Sequence, residues 1–244
     1  MNTMIKSLSF GLVMLLFAGQ GFAQKKIIFP AADGLEVTAN LYHLNDTLPY
    51  IILCHQAGSS RGEYDQTAGR FLKFRYNVIA VDLRSGKGIN GVANETAAKA
   101  LLRNPDINPA DAEKDMLAAI TYCFTKSKKK VILEGSDYSA SLALKIAATD
   151  KRVKAVIAFS PDEYFGKALN IKESIKNLEV PVFTASTRDE APDVKLLMAD
   201  VQSQVNLQFI PPVKGLHGAK ALWKENPNNQ EYWFALVMFI RQVK

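Results

Sequence analysis

Apolar β-branched runs alternate along the chain with stretches in which apolar residues recur every three or four positions. The runs at residues 50–54, 77–82, 130–133, 153–159, 180–185 and 206–211 are too apolar to leave one face wet, which predicts buried strands of a parallel sheet. Two earlier runs, 26–29 and 35–44, flank Ala32-Asp33-Gly34, whose Asp-Gly pair predicts a hairpin and hence an antiparallel edge. Helical spacing predicts helices over 64–74, 109–125, 139–149, 193–203 and 230–243. Strand and helix in regular alternation imply a mainly parallel sheet with helices on both faces, because each right-handed crossover covers a face. Chemistry in such sheets gathers beyond the carboxyl ends of the strands.

Composition adds boundaries to that picture. A chain of 244 residues with 48% hydrophobic and 22% charged side chains has the balance of a globular protein built around one core. The net charge is +6, but the basic residues are scattered. The densest run, Lys126-Ser127-Lys128-Lys129-Lys130, has no aromatic residue among its lysines and reads as a solvated loop, not a nucleic-acid patch. Residues 1–23 join a lone Lys6, an apolar stretch at 8–18 and the small residues Gly21 and Ala23. This is the layout of a signal peptide cleaved before Gln24, which places the mature chain in the periplasm or outside the cell. The apolar stretch falls short of the roughly 20 residues that span a bilayer, so no stable membrane anchor is expected. Cys54 and Cys123 read as small hydrophobes in a strand and a helix, and His43, His55 and His217 have no partners at zinc-ligand spacing. No phosphate-binding glycine loop is present, since Gly86-Lys87-Gly88 lacks the frame. The expectation is a site with neither metal nor cofactor, acting on a small molecule; the sequence leaves the oligomeric state open.

The candidate chemistry sits at four strand ends. The run Val131-Ile132-Leu133-Glu134-Gly135-Ser136-Asp137-Tyr138-Ser139 passes from strand directly into helix. Small residues two before and two after a central position are what a strained nucleophile elbow requires, and they centre Asp137. An acidic residue at a helix start also has a plain reading, as a cap that favours the helix dipole. His55-Gln56-Ala57-Gly58, Ser186-Thr187-Arg188-Asp189-Glu190 and Lys214-Gly215-Leu216-His217-Gly218 follow the third, seventh and eighth strands. A single imidazole between glycines at a strand end suits proton transfer. His55 reads as packing, His43 as surface, and Trp223 and Trp233 as packing, while Glu163 and Tyr164 are left open between pocket and surface.

In these segments the chain resembles the α/β-hydrolase superfamily across essentially all of residues 24–244. Through Leu53-Cys54-His55-Gln56-Ala57-Gly58-Ser59-Ser60-Arg61-Gly62-Glu63-Tyr64, Asn94-Glu95-Thr96-Ala97 and Phe159-Ser160-Pro161-Asp162-Glu163-Tyr164-Phe165 it is similar to an uncharacterised, dienelactone-hydrolase-like bacterial branch. The resemblance implies an α/β-hydrolase fold without a large cap, with Asp137 at the nucleophile position, Asp189 as the orienting acid (Glu190 the alternative) and His217 as the histidine. It implies an oxyanion hole from the backbone amides of Gln56 and Tyr138, and small esters or lactones as substrates. Serine is expected where Asp137 stands.

That departure opens three readings. One is a hydrolase slowed by its carboxylate; another is a catalytically impaired binding module on the same scaffold. The third, a carboxylate nucleophile of the dehalogenase or epoxide-hydrolase kind, is disfavoured because only about 18 residues lie between Pro161 and the next strand, too few for the usual helical cap. Ser136 and Ser139 flank the elbow and face other directions, so neither is expected to replace the missing serine.

Overall fold

The computed structural model describes residues 24–104 and 106–244; residues 1–23, where a signal peptide is expected, lie outside them. Ten strands are present among these residues: β1 (Gln24–Pro30), β2 (Glu36–Tyr42), β3 (Tyr50–Cys54), β4 (Asn77–Val81), β5 (Gly88–Ile89), β6 (Val92–Ala93), β7 (Val131–Ser136), β8 (Val153–Phe159), β9 (Val182–Ala185) and β10 (Asn206–Phe209). The helices are α1 (Ala68–Phe71), α2 (Glu95–Arg103), α3 (Ala112–Ser127), α4 (Tyr138–Thr149), α5 (Ile171–Ser174), α6 (Ala191–Leu197) and α7 (Asn229–Gln242). Eight strands form one sheet in the order β1-β2-β4-β3-β7-β8-β9-β10, and β5 and β6 form a separate ribbon. The pairs β1/β2 and β2/β4 are antiparallel and the other pairs of the large sheet are parallel.

Alternation along each strand divides the core in two. Ile52, Cys54, Leu133 and Val156 pack with Met116, Ile120, Leu142, Ile146 and Val194, from α3, α4 and α6. Ile51, Leu53, Ile132 and Ile157 pack on the other face with Phe71, Trp233 and Phe239, from α1 and α7. Both cysteines are buried with free thiols, and burial pushes their pKa values up.

Several expectations change in detail. The predicted helix over 64–74 is instead a 3-10 turn (Arg61–Tyr64), the short α1 and a second 3-10 turn (Leu72–Phe74) that ends at Arg75 with φ 64°. Gly69 weakens the middle of that stretch, and a left-handed residue stops it. The predicted helix over 193–203 starts two residues earlier, with Pro192 in its first turn, and ends at Leu197. Helix α2 carried no predicted element; Asn94 caps it by accepting the Ala97 N–H at 2.8 Å. Between Pro161 and β9 lie only a 3-10 turn and the four-residue α5, so no cap covers the sheet there.

Glu134 on β7 is fully buried, and neither of its oxygens has a hydrogen-bond partner among the described residues. The Tyr64 hydroxyl donates to the Cys54 carbonyl at 2.8 Å. Loss of hydration therefore drives the Glu134 pKa well above its ordinary value. A carboxyl raised in the folded state contributes stability that is present below its ordinary value of 4.5 and is lost as pH rises. Glu134→Leu should stabilise the chain by about 1–3 kcal/mol near neutral pH. It should also flatten the decline in Tm from about pH 5 to 8. A thermal melt series in which the variant is less stable at pH 8 would refute this.

Candidate active site

Asp137 stands between the end of β7 and the start of α4 with φ 61° and ψ −128°, a left-handed backbone that costs a residue with a side chain of order 1–3 kcal/mol. The neighbouring residues allow it. A Cβ on Gly135 would collide with the Ser139 carbonyl, and the Ser139 hydroxyl bridges the turn, accepting the Ser136 N–H at 2.9 Å and bonding the Cys54 carbonyl at 2.8 Å. The Asp137 N–H is anchored on the Phe159 carbonyl at the end of β8, 2.8 Å away. Ser136 and Ser139 are both buried and held inward. Asp137 therefore sits at a tight strand-to-helix turn with small residues on either side, and its carboxylate does not cap α4, which sets the plain capping role aside.

His217 follows β10 on a loop that turns at Gly215 (φ 73°) and Gly218 (φ 67°). A Cβ on Gly218 would press on the Ser136 hydroxyl at 2.5 Å. The imidazole lies between two carboxylates: Nδ1 is 2.6 Å from Glu190 Oε1 and Nε2 is 3.4 Å from Asp137 Oδ1. Glu190, not Asp189, is thus the acid that meets the histidine. The turn from Thr187 to Glu190, closed by the Glu190 N–H on Thr187 Oγ1 at 3.3 Å, leaves Asp189 exposed and brings Glu190 inward as the residue that opens α6. Ser160 Oγ donates to Glu190 Oε2 at 2.7 Å and accepts the Gly218 N–H at 3.0 Å, and the Thr187 N–H donates to the same carboxylate at 3.0 Å. Ser160, buried with φ 51° after β8, stood in a stretch that carries the resemblance but was given no role of its own, although its position directly after a strand and before Pro161 was a signal.

The oxyanion loop also differs from expectation. The Gln56 N–H donates inward to Glu63 Oε2 at 3.0 Å, so it does not face the elbow. The Ala57 N–H does, donating to Asp137 Oδ2 at 3.0 Å. The Tyr138 N–H opens α4, where it has no intrahelical acceptor. One carboxylate oxygen of Asp137 thus faces the histidine while the other accepts the Ala57 N–H.

Charge follows this geometry. The hydrogen bonds that the His217 imidazole donates to Asp137 and Glu190 raise its pKa to about 10 against the opposing effect of burial. Burial alone would raise Glu190, but His217, Ser160 and the Thr187 amide bring it down to about 2. Asp137 is likewise lowered, its burial outweighed by His217, Ala57 and Tyr164. The Tyr164 hydroxyl itself donates to the Ser160 carbonyl at 2.8 Å. The site rests as carboxylate, imidazolium, carboxylate. Since the His217 pKa is raised, the stability it gives is full below its ordinary 6.5 and is lost as pH rises through about 10. An NMR titration should find His217 still an imidazolium at about pH 8, and a midpoint near neutrality would contradict the clamp.

The remaining candidates fall outside the triad. His55 is buried and neutral, its pKa held down at about 4 by burial. Its Nε2 accepts the Leu83 N–H at 2.9 Å and Nδ1 lies 2.8 Å from the Gln56 carbonyl, so it fixes the loop. His43 pairs at the surface with Asp46, Trp233 is buried in the core, and the Glu163 carboxylate accepts the Ile171 and Lys172 amides at 2.9 and 2.6 Å. A small cavity of about 60 Å³ adjoins Ser160, Tyr164 and Glu190. A polar cleft of about 700 Å³, which includes Glu163, Lys167, Lys172 and Asp200, contains no member of the triad. Among the described residues no group of His, Cys, Asp and Glu is arranged to hold a metal ion, and no helix is long and apolar enough to cross a membrane.

An eight-stranded, mainly parallel sheet in this order, with Asp137 after β7, Glu190 after β9 and His217 after β10, is the arrangement of the α/β-hydrolase fold. The chain has that fold, and solved structures agree. It is similar to the esterase Pf2001 of Pyrococcus furiosus, with a TM-score of 0.71, 15% identity and 91% of each chain covered. It is also similar to a dienelactone hydrolase from Anabaena variabilis, with a TM-score of 0.65, 14% identity, and 89% of this chain and 95% of that one covered. Among curated proteins, the thiohydrolase apmlB of Arthrinium phaeospermum is 30% identical over 141 residues, which is 56% of this chain and 43% of that protein's length. No protein-family model matches the chain.

Proposed function

We propose that the chain is a hydrolase of small carboxylic esters or lactones whose turnover is held down by Asp137. The observation that carries this is the position of one carboxylate in two catalytic places, facing His217 Nε2 and occupying the Ala57 N–H. A serine nucleophile needs a neutral imidazole to take its proton. Here the imidazole is already protonated between two carboxylates, and the hole donor is already engaged. The names of the proteins of similar fold, an esterase and a dienelactone hydrolase, support esters and lactones as the substrate class.

The test compares the parent, Asp137→Ser and Asp137→Ser/His217→Ala on short p-nitrophenyl esters. Parent activity near background, a gain with serine and its loss with the second change support the reading. A parent as fast as the serine form, with Asp137→Ala inactive, would make the carboxylate a working nucleophile or base and overturn it. If no form turns over while small lactones still bind by calorimetry, the binding-module reading replaces it. Export belongs to the same proposal. Protein recovered from the bacterial envelope should begin at Gln24 by mass spectrometry, and an intact Met1 terminus in the membrane fraction would mean an anchor.

A further inference from the structure

Glu63 is not one of the three residues that meet at His217, yet its carboxylate bonds to the residue before Asp137 and to the loop after β3. The residue sits in the 3-10 turn Arg61–Tyr64 and is fully buried. Its Oε2 accepts the Gln56 N–H at 3.0 Å, and its Oε1 accepts the Ser136 hydroxyl at 2.7 Å. Ser136 Oγ in turn accepts the Ala219 N–H at 2.8 Å, two residues beyond His217. The Glu63 backbone is fixed as well, its carbonyl accepting the Trp223 indole N–H at 2.8 Å and its N–H donating to the Ser60 carbonyl at 3.0 Å. One buried side chain therefore joins the loop after β3, the residue before the elbow and, through one hydroxyl, the histidine loop.

A carboxyl in this place is costly, since burial raises its pKa and an apolar side chain of similar volume would fill the space without that penalty. What a hydrocarbon lacks is direction. The Gln56 N–H belongs to the peptide plane before Gln56 and the Ala57 N–H to the plane after it, whose carbonyl meets the His55 imidazole at 2.8 Å and the Ser59 N–H at 3.3 Å. Holding the Gln56 N–H inward anchors the first plane, so that only φ and ψ of Gln56 separate that anchor from the Ala57 N–H aimed at residue 137. We propose that Glu63 is a positioning residue, which sets the Ala57 amide toward the elbow and couples that loop through Ser136 to the loop of His217. The inference rests on the hydrolase reading for its meaning in turnover, but its structural half stands apart from activity.

Hydrogen exchange on the full parent chain tests that half. In Glu63→Leu, which keeps the volume and removes both acceptors, the Ala57 amide should exchange about tenfold faster or more, while the amides of Ile52 and Leu133 in the central strands stay within about threefold. Glu63→Gln can still accept the Gln56 N–H and donate to Ser136, so it should restore most of the protection. If Ala57 keeps its protection in Glu63→Leu, or if all three amides speed up together, Glu63 is only a core residue and the proposal fails. Should Glu63→Leu not fold, Ser136→Ala decides: Ala219 exchange rising about tenfold with Ile52 unchanged supports the coupling, and unchanged Ala219 exchange overturns it. In the Asp137→Ser background, Glu63→Leu should lower kcat about a hundredfold with KM within about threefold, and Glu63→Gln should recover it. A change confined to KM would count against positioning. If Asp137→Ser has no activity at all, the hydrolase reading fails, and the exchange result still decides the role of Glu63.

Discussion

Asp137→Ser should hydrolyse short p-nitrophenyl esters at least about a hundredfold faster than the parent chain. The change acts on three groups together. Removing one of the two carboxylates beside His217 lowers its pKa from about 10 toward the neutral range, so that the imidazole becomes able to accept a proton. The serine hydroxyl takes the presented position at the elbow, within the histidine's reach. The Ala57 amide, no longer held by Asp137 Oδ2, is released to meet the developing oxyanion together with the Tyr138 amide. Each such donor is worth about 2.7–4 kcal/mol in the transition state. The gain should follow the pH profile of a deprotonating histidine, rising across neutrality and levelling above it. A serine variant no faster than the parent, with His217 titrating near neutrality, would mean that the limit lies elsewhere in the pocket.

In that background, Glu190→Gln should lower kcat by about 10²–10⁴-fold, whereas Asp189→Asn should leave it within about twofold. The 2.6 Å contact with His217 Nδ1 belongs to Glu190, and a neutral amide there both loses the ionic partner and permits the wrong imidazole tautomer. Asp189 faces solvent. Kinetics of the two variants side by side separate the roles, and a large loss confined to Asp189→Asn would reverse the assignment.

The order of strands was legible because parallel strands buried on both faces must be apolar throughout, and 50–54 and 153–159 match β3 and β8 residue for residue. The short elements were not. Helix α2 exposes Leu101 and Leu102, so its apolar periodicity misleads, and only the Asn94 cap and the alanines marked it. The β5/β6 ribbon was signalled by Asn90-Gly91, a hairpin dipeptide. At the site, local chemistry singled out Asp137, by its small neighbours, and His217, by its flanking glycines, and the structure brings these two within 3.4 Å of each other. The acid and the oxyanion donor were each displaced by one position. Both lie on irregular turns, where a single peptide rotation exchanges which of two consecutive groups points inward. Next to Ala57, the Gln56 N–H is turned inward onto Glu63, seven residues beyond it and joined to it only in three dimensions.

The ionic resting state of the triad also bears on why an aspartate can occupy the elbow while the other strand-end groups keep their places. A serine triad with neutral histidine and ionised glutamate carries one negative charge. Asp137, His217 and Glu190 as carboxylate, imidazolium and carboxylate carry the same total. Placing the acid at the elbow draws one proton from solvent onto His217, and the two changes cancel. Beyond a few ångströms the surrounding charges therefore meet an almost unaltered field. The exchange is isoelectric at neutral pH, and its counterpart is measurable: Asp137→Ser should leave the electrophoretic mobility of the folded chain nearly unchanged near pH 8, where the loss of an acidic residue alone would shift it by a full unit of charge.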